Sequence, residues 1–284
     1  MGISFSEYKD VIDLTPYPRP VPYDTQEEMS AACDELLHFL LYEKGTIAAF
    51  SATYENKREN VRRYMNIRPA HPVPAEILAV QDRLFWTETL RRGIAELSEC
   101  REYSHGLCLW EGDITRINAD AIVNAANKTL LGCFLPGHNC IDNIIHSRAG
   151  MQMRNDCAKI MSEQGKTEEC GNTKVTRGYN LPCRYVFHSV GPMILREVTE
   201  EQRAQLRSCY LSVLNQAEEM GLKSVAFCCL STGVFNFPRE DAAEIATGTV
   251  LNWKLRHPES GLKVIFDTYL KEDTQVYTHI LNMI

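Results

Sequence analysis

The spacing of apolar positions changes character near residue 99. Before it, apolar residues recur at helical intervals; after it, short β-branched and aromatic runs alternate with helical stretches. Pro16, Pro18, Pro20 and Pro22 make a stiff entry segment, because each ring fixes its own φ and biases the preceding residue toward extended backbone. Thr25 and Glu28 then stand at capping-box spacing ahead of Leu36, Leu37, Leu40 and Leu41, which predicts a helix stopping near Gly45. A second helix is expected from Ser51 to Met65, closed by the proline-rich turn at 68–74. A third is expected from about Ala75 to Arg92, with Ile77, Leu78, Leu84 and Leu90 at helical spacing. These first hundred residues read as core and solvated faces only.

Beyond Glu99 the runs 106–110, 121–123, 185–190, 225–230 and 264–266 have the composition of strands, and helices are expected near 140–163, 200–220, 239–255 and 273–283. Alternation of this kind predicts an α/β/α sandwich with its ligand loops at the carboxyl ends of the strands. The division expected is a helical N-terminal extension over 1–99 and a sandwich domain over 100–284.

Composition narrows the function. The chain of 284 residues is 44% hydrophobic and 24% charged, an ordinary globular balance. It has no apolar run of about 18 residues, so no membrane partner is expected. Its first ten residues carry early charges and lack the apolar centre of a secretory leader, so a cytoplasmic location is expected. A formal charge of −7 disfavours a nucleic-acid partner held through its phosphates. A single diphosphate is different, since backbone N–H groups and a helix N-terminus hold one without excess Lys or Arg. The eleven cysteines are an odd number in a large chain. Several, such as Cys228 and Cys229, sit in apolar runs where free cysteine behaves as a small hydrophobe.

Four stretches carry candidate chemistry. Gly112-Asp-Ile-Thr115 reads alone as a turn after a strand, with Asp113 or Thr115 as a cap. Asn124 and Asn127 close a β-branched strand, where their amides either orient a hydroxylated ligand or make Asx turns. Ser231, Thr232, Gly233, Val234 and Phe235 follow an apolar strand and precede Pro238, a favoured first helical residue, so their N–H groups are placed to meet a phosphate. Finally, Cys133, His138 and Cys140 form C-x4-H-x-C in a loop turned by Pro136 and Gly137. Three soft or borderline ligands without an adjacent fourth suggest a Zn²⁺ site with an open position, unless Cys170 or another remote cysteine closes it.

Taken in order, Gly-Asp-Ile-Thr (112–115), Val-Asn-Ala-Ala-Asn (123–127), Ile-Asp-x-x-Ile-His (141–146), Gly-Tyr-x-Leu-Pro (178–182), His-Ser-Val-Gly-Pro (188–192) and Ser-Thr-Gly-Val-Phe (231–235) resemble a macrodomain over about residues 100–284. Hydrolytic macrodomains carry a glycine-rich run before the Ile-Asp pair; this chain has the Cys/His loop there, which is similar to the zinc-containing macrodomain class. The resemblance implies a three-layer α/β/α fold with a mixed central sheet and a hydrolase that removes mono-ADP-ribose from modified proteins, ADP-ribose being the product. It implies Zn²⁺ as cofactor, an ester to Asp or Glu as the linkage, and a macrodomain-linked sirtuin as the opposing transferase. Asp113 and Ile114 would receive the adenine, with a weaker place for Phe266 or Tyr269. Residues Ser231 to Phe235 would cradle the diphosphate, with Ile141 and Asp142 across from them. Asn127 would hold the distal ribose, and Asp142 would act as general base or water-orienting group, unless it merely caps the helix begun near Ile141. His146 and His188 match the family pattern and read as structural. Two other activities remain open on the sequence: an ADP-ribose-binding module with a structural zinc, and a deacetylase of O-acetyl-ADP-ribose.

Overall fold

The computed structural model describes residues 2–45 and 53–284, so the expected start of the second helix at Ser51 lies outside the described residues. The entry segment begins with the short helix α1 (Phe5–Tyr8). In α2 (Gln26–Tyr42) the Thr25 side chain accepts from the Glu28 amide and Glu28 returns to the Thr25 backbone, the reciprocal cap expected from the sequence. The helix stops at Tyr42, and Gly45 adopts φ +63 in the turn that follows. Helices α3 (Tyr54–Ile67) and α4 (Ala75–Arg92) complete the N-terminal group. Their shared core includes Leu36, Leu37, Val61, Met65, Leu84 and Phe85, and is separate from the core of the sandwich. Apolar burial of this kind stabilises by roughly 25 cal/mol per Å² removed from water, so three amphipathic helices hold together where none would persist alone.

The sandwich is built on seven strands: β1 (Arg101–Glu102), β2 (Leu107–Glu111), β3 (Ala121–Ala126), β4 (Thr173–Arg177), β5 (Tyr185–Val190), β6 (Ser224–Phe227) and β7 (Lys263–Thr268). Their spatial order is β1-β2-β7-β6-β3-β5-β4. The five inner strands are parallel, and the two outer ones, β1 and β4, run antiparallel to their neighbours. The sheet is therefore mixed, with the carboxyl ends of β2, β3, β5, β6 and β7 all at one edge.

One face is covered by α5 (Ile141–Ala149) and α6 (Met151–Gln164). The single helix expected over 140–163 is two, because Gly150 at φ +118 breaks it. The other face takes α7 (Glu200–Glu219), α8 (Arg239–Arg256) and α9 (Lys271–Leu281), through contacts such as Tyr210 on Phe227 and Tyr277 on Phe266. Pro238 is the N-cap of α8 rather than its first turn.

Two strands depart from expectation. Strand β4 was not predicted, because Lys174 and Thr176 interrupt its apolar pattern. Both are buried, and Lys174 is paired with Glu168 at 2.6 Å, so its charge is matched inside the fold. The outward amide of Val175 donates to Tyr8 Oη at 2.8 Å, which blunts this edge strand. The strand expected over 225–230 ends at Phe227, since Cys228 to Leu230 already turn into the following loop.

Candidate active site

The loop between β3 and α5 carries the predicted metal ligands and brings them together. The ligand atoms of Cys133, His138 and Cys140 lie within 4.8 Å of one another, and all three residues are half-buried. Among the described residues no fourth Cys, His, Asp or Glu joins them, Cys170 included. Cys133 Sγ and His138 Nδ1 are 3.5 Å apart. Tetrahedral zinc bonds of about 2.3 Å to sulfur and 2.0–2.1 Å to nitrogen set those atoms roughly 3.5 Å apart, so the donor set and its spacing fit the ion. Burial, with Cys133 beside it, pushes the Cys140 thiol up to about 11, leaving it protonated at neutral pH without a cation to hold its thiolate.

Neighbouring elements fix the shape of this loop. Gly132 (φ +79) packs its backbone on the His146 ring, where a Cβ would meet ring atoms at 3.0 Å. Asn143 Nδ2 donates to the Cys133 and Leu135 carbonyls at 3.3 and 3.0 Å. From α3, Arg62 donates to the His138 carbonyl at 2.7 Å, and Asn66 Oδ1 accepts from the Gly137 amide at 2.9 Å. Arg154 donates to the Leu131 carbonyl at 2.6 Å and lies over the Phe134 ring at 4.3 Å. Sequence reasoning missed Arg62 and Asn66 altogether. Polar residues on a solvated helix face carry no signal of a long-range partner.

Helix α5 is capped by Cys140, whose sulfur accepts from the Asn143 amide at 3.5 Å. Asp142 is therefore not the cap. Its carboxylate turns away from the helix end and is buried against β3, where Oδ1 accepts from Asn124 Nδ2 at 2.8 Å and Oδ2 from Asn127 Nδ2 at 3.2 Å. Burial raises its pKa to about 6, against the opposing pull of Asn124, Arg154 and Asn127. His146 Nε2 lies 3.6 Å from Asp142 Oδ1. His146 stays neutral, since burial, helped by His188 and Arg154, drives its pKa well down.

Asn127 has two jobs within the protein. Its Oδ1 accepts from the Thr129 amide at 2.9 Å in an Asx turn, while Nδ2 is shared between Asp142 and the Gly132 carbonyl at 3.0 Å. It thereby ties the end of β3 to both the Cys/His loop and Asp142.

The other predicted residues stand at the same edge of the sheet. Asp113, after β2, caps a single 3-10 turn (Ile114–Arg116), its Oδ1 accepting from the Thr115 amide at 3.1 Å. Its Oδ2 pairs with Arg148 of α5 and lies 3.7 Å from Arg92 of α4; the Arg148 charge and the hydrogen bonds from Thr115 and Arg148 keep its pKa low despite burial. Ile114 is buried, and Ile141 begins α5 half-buried. Phe266 is core, while Tyr269 is largely exposed.

Between β6 and α8, Ser231 (φ +66) and Asn236 (φ +56) turn the 231–235 loop sharply. Phe237 N donates to Ser231 O at 2.9 Å and Asn236 N to Gly233 O at 3.0 Å. Ile194 N donates to Phe235 O at 2.8 Å, joining this loop to the segment after β5. A Cβ at Gly233 would meet no atom within 4 Å, so glycine there leaves open space in front of the backbone. Gly191 faces Ser231 closely, and a Cβ at Gly191 would lie 2.1 Å from Ser231 Oγ.

The chain is similar to known proteins over most of its length. The Macro domain family model matches residues 123–246. A protein-ADP-ribose hydrolase of Staphylococcus aureus is 44% identical over 238 residues, covering 83% of this chain and 89% of the relative. A probable bifunctional ADP-ribose hydrolase/ADP-ribosyltransferase of Fusarium oxysporum is 41% identical over 78% of this chain and 40% of its own length. Among solved structures, a Trypanosoma brucei macrodomain in complex with ADP-ribose superposes with a TM-score of 0.57 at 27% identity, covering 82% of this chain and 97% of that one.

Proposed function

The chain belongs to the macrodomain family, and on that premise we propose that it is a hydrolase releasing mono-ADP-ribose from modified proteins, with an ester to Asp or Glu as the linkage cleaved. The observation that carries this reading is the placement of Asp142: withdrawn from the helix cap, buried, and held by an asparagine on each oxygen, two residues from the last ligand of the Cys/His loop. A module that only binds ADP-ribose gains nothing from a charge buried in that way, which costs stability above its raised pKa.

In the reaction, water adds either to C1″ of the distal ribose, breaking the C1″–O bond and releasing the carboxylate of the substrate protein, or to the ester carbonyl, breaking the acyl C–O bond and releasing the ribose oxygen, which takes up a proton. Asp142 takes the proton that the attacking water gives up, or orients that water. Asn124 and Asn127 keep the carboxylate aimed. The open backbone at Ser231–Phe235 is suited to receive the diphosphate, where N–H groups serve without added cations. Asp113 and Ile114 form the adenine end, with Asp113 already fixed by Thr115 and Arg148. Zn²⁺ held by Cys133, His138 and Cys140 would supply Lewis-acid polarisation of the ribose hydroxyls. The transferase that builds the substrate is, on this reading, an ADP-ribosyltransferase of the sirtuin kind; the Fusarium relative, whose name joins hydrolase and transferase, supports such a pairing.

The test is release of ADP-ribose from proteins carrying one unit on Asp or Glu, on serine, or on arginine, beside deacetylation of O-acetyl-ADP-ribose. Release from the ester-linked protein alone is the expected result. Tight binding of ADP-ribose without turnover on any substrate would contradict the reading, and turnover of the acetyl ester alone would reassign it.

A further inference from the structure

A second group of ligand-type side chains, His146, Cys157 and His188, lies wholly buried with its ligand atoms within 4.8 Å of one another. The hydrogen bonds of His188 decide what the group can do. His188 Nδ1 is 3.1 Å from Asn124 Nδ2, which can only donate, so Nδ1 accepts. A neutral ring accepting at Nδ1 carries its proton on Nε2, which stands 2.9 Å from Thr176 Oγ1. The Thr176 hydroxyl hydrogen is directed to the Arg177 carbonyl at 3.1 Å, leaving an oxygen lone pair for the His188 donor. Every bond in this row therefore has one direction. Nε2 keeps no lone pair for a metal, and Cys157 Sγ at 3.7 Å is a neighbour of the ring rather than a co-ligand.

The row ends on Asp142. Asn124 has two amide hydrogens: one points to Asp142 Oδ1 at 2.8 Å, the other to His188 Nδ1. Asn124 Oδ1 is buried with no partner, so nothing on the oxygen side anchors this amide and its rotation is set by the two N–H contacts alone. Strand pairing makes the contact repeatable, because Asn124 on β3 and His188 on β5 stand opposite each other in register. Thr176, two residues from the β4 partner of His188, shares that face. Turning the amide by half a revolution would set Oδ1 against the carboxylate of Asp142.

We propose that His188 is a positioning residue for hydrolysis: by accepting one hydrogen of Asn124 it aims the other at Asp142, while Thr176 holds the ring in the tautomer that can accept. The proposal deepens the reading of Asp142 as base or water-orienting group and rests on it.

Its test has two parts. Nitrogen NMR of the labelled full chain should find the His188 ring with its proton on Nε2; a proton on Nδ1, or on both nitrogens, at neutral pH would overturn the relay whatever the activity. Kinetically, His188→Leu removes the acceptor, His188→Asn keeps an acceptor oxygen near the Nδ1 position, and Thr176→Val removes the tautomer anchor at constant volume. Single-turnover release of ADP-ribose should fall about tenfold or more in His188→Leu and severalfold in Thr176→Val, with ADP-ribose affinity unchanged, and should return to within about threefold of the parent in His188→Asn. Parent-like rates in both His188→Leu and Thr176→Val, or His188→Asn as slow as His188→Leu, would overturn it. If His188→Leu does not fold, Thr176→Val and the tautomer carry the decision. Asp142→Asn run alongside separates the two claims: a slow Asp142→Asn with fast relay variants rejects the relay alone, while a fast Asp142→Asn rejects the base.

Discussion

Two clusters of cysteine and histidine occur among the described residues, and the zinc site proposed above uses only one of them. In the loop cluster of Cys133, His138 and Cys140 the donors are half-buried and share a Gly/Pro turn, and the loop is kept in place by hydrogen bonds to its backbone carbonyls and by the Asn143 amide on the Cys140 sulfur. In the buried cluster of His146, Cys157 and His188 the spacing is as close, but the His188 ring is already committed to Asn124 and Thr176. Burial raises a thiol in both clusters, that of Cys140 to about 11 and that of Cys157 well above its ordinary range, so thiol acidity does not by itself separate them. Proximity of ligand-type residues is thus a weak criterion. A free lone pair and a route from solvent decide whether a cluster binds an ion or holds a neighbour in place.

The largest expected effect breaks that comparison directly. Elemental analysis of the purified chain should find about one zinc per molecule, nearly absent in Cys140→Ala and unchanged in Cys157→Ser. Zinc lost equally from both variants would erase the distinction between the clusters.

A smaller effect sharpens it through pH. Burial lowers the His188 pKa from 6.5 to about 3 in the folded chain. A depressed folded value means that the unfolded chain binds a proton below pH 6.5 while the folded chain does not, so stability is present above 6.5 and is lost as pH falls toward 3. His146 acts in the same direction, and Asp142, raised to about 6, acts in the opposite one between about 6 and 3.8. Comparing the parent with His188→Asn cancels these shared terms. Between pH 7 and 5 the parent should lose about 2 kcal/mol more unfolding free energy than the variant, read from denaturant midpoints. Equal losses would mean that His188 is already charged, or solvated, in the fold.

Much of this architecture was legible in the residues. The Thr25–Glu28 cap, the extent of α4 and the β5 run 185–190 all followed from local pattern, because each element's own side chains specify it. The C-x4-H-x-C spacing likewise marked three residues that the fold does gather. What could not be read were features made by distant partners. The buried Lys174 conceals β4, since its charge is cancelled by a glutamate from another segment. Arg62 and Asn66 look like solvated helix positions until α3 is laid against the Cys/His loop. Arg148 gives no hint in sequence that it meets Asp113. His188 was expected to be structural from its apolar setting, and its burial agrees with that; the hydrogen bonds that link it to Asp142 depend on strand register, which no local pattern encodes.

The central claim is that Asp142 does chemistry rather than end a helix, and one variant tests it. Asp142→Asn keeps the size and one accepting oxygen of the side chain, and Cys140 keeps the cap. We expect the variant to fold, to hold zinc and to bind ADP-ribose as the parent does, while its single-turnover release of ADP-ribose from an ester-modified protein falls by about a hundredfold or more. A single-turnover rate within a few-fold of the parent would contradict the account and reduce Asp142 to a buried structural carboxylate.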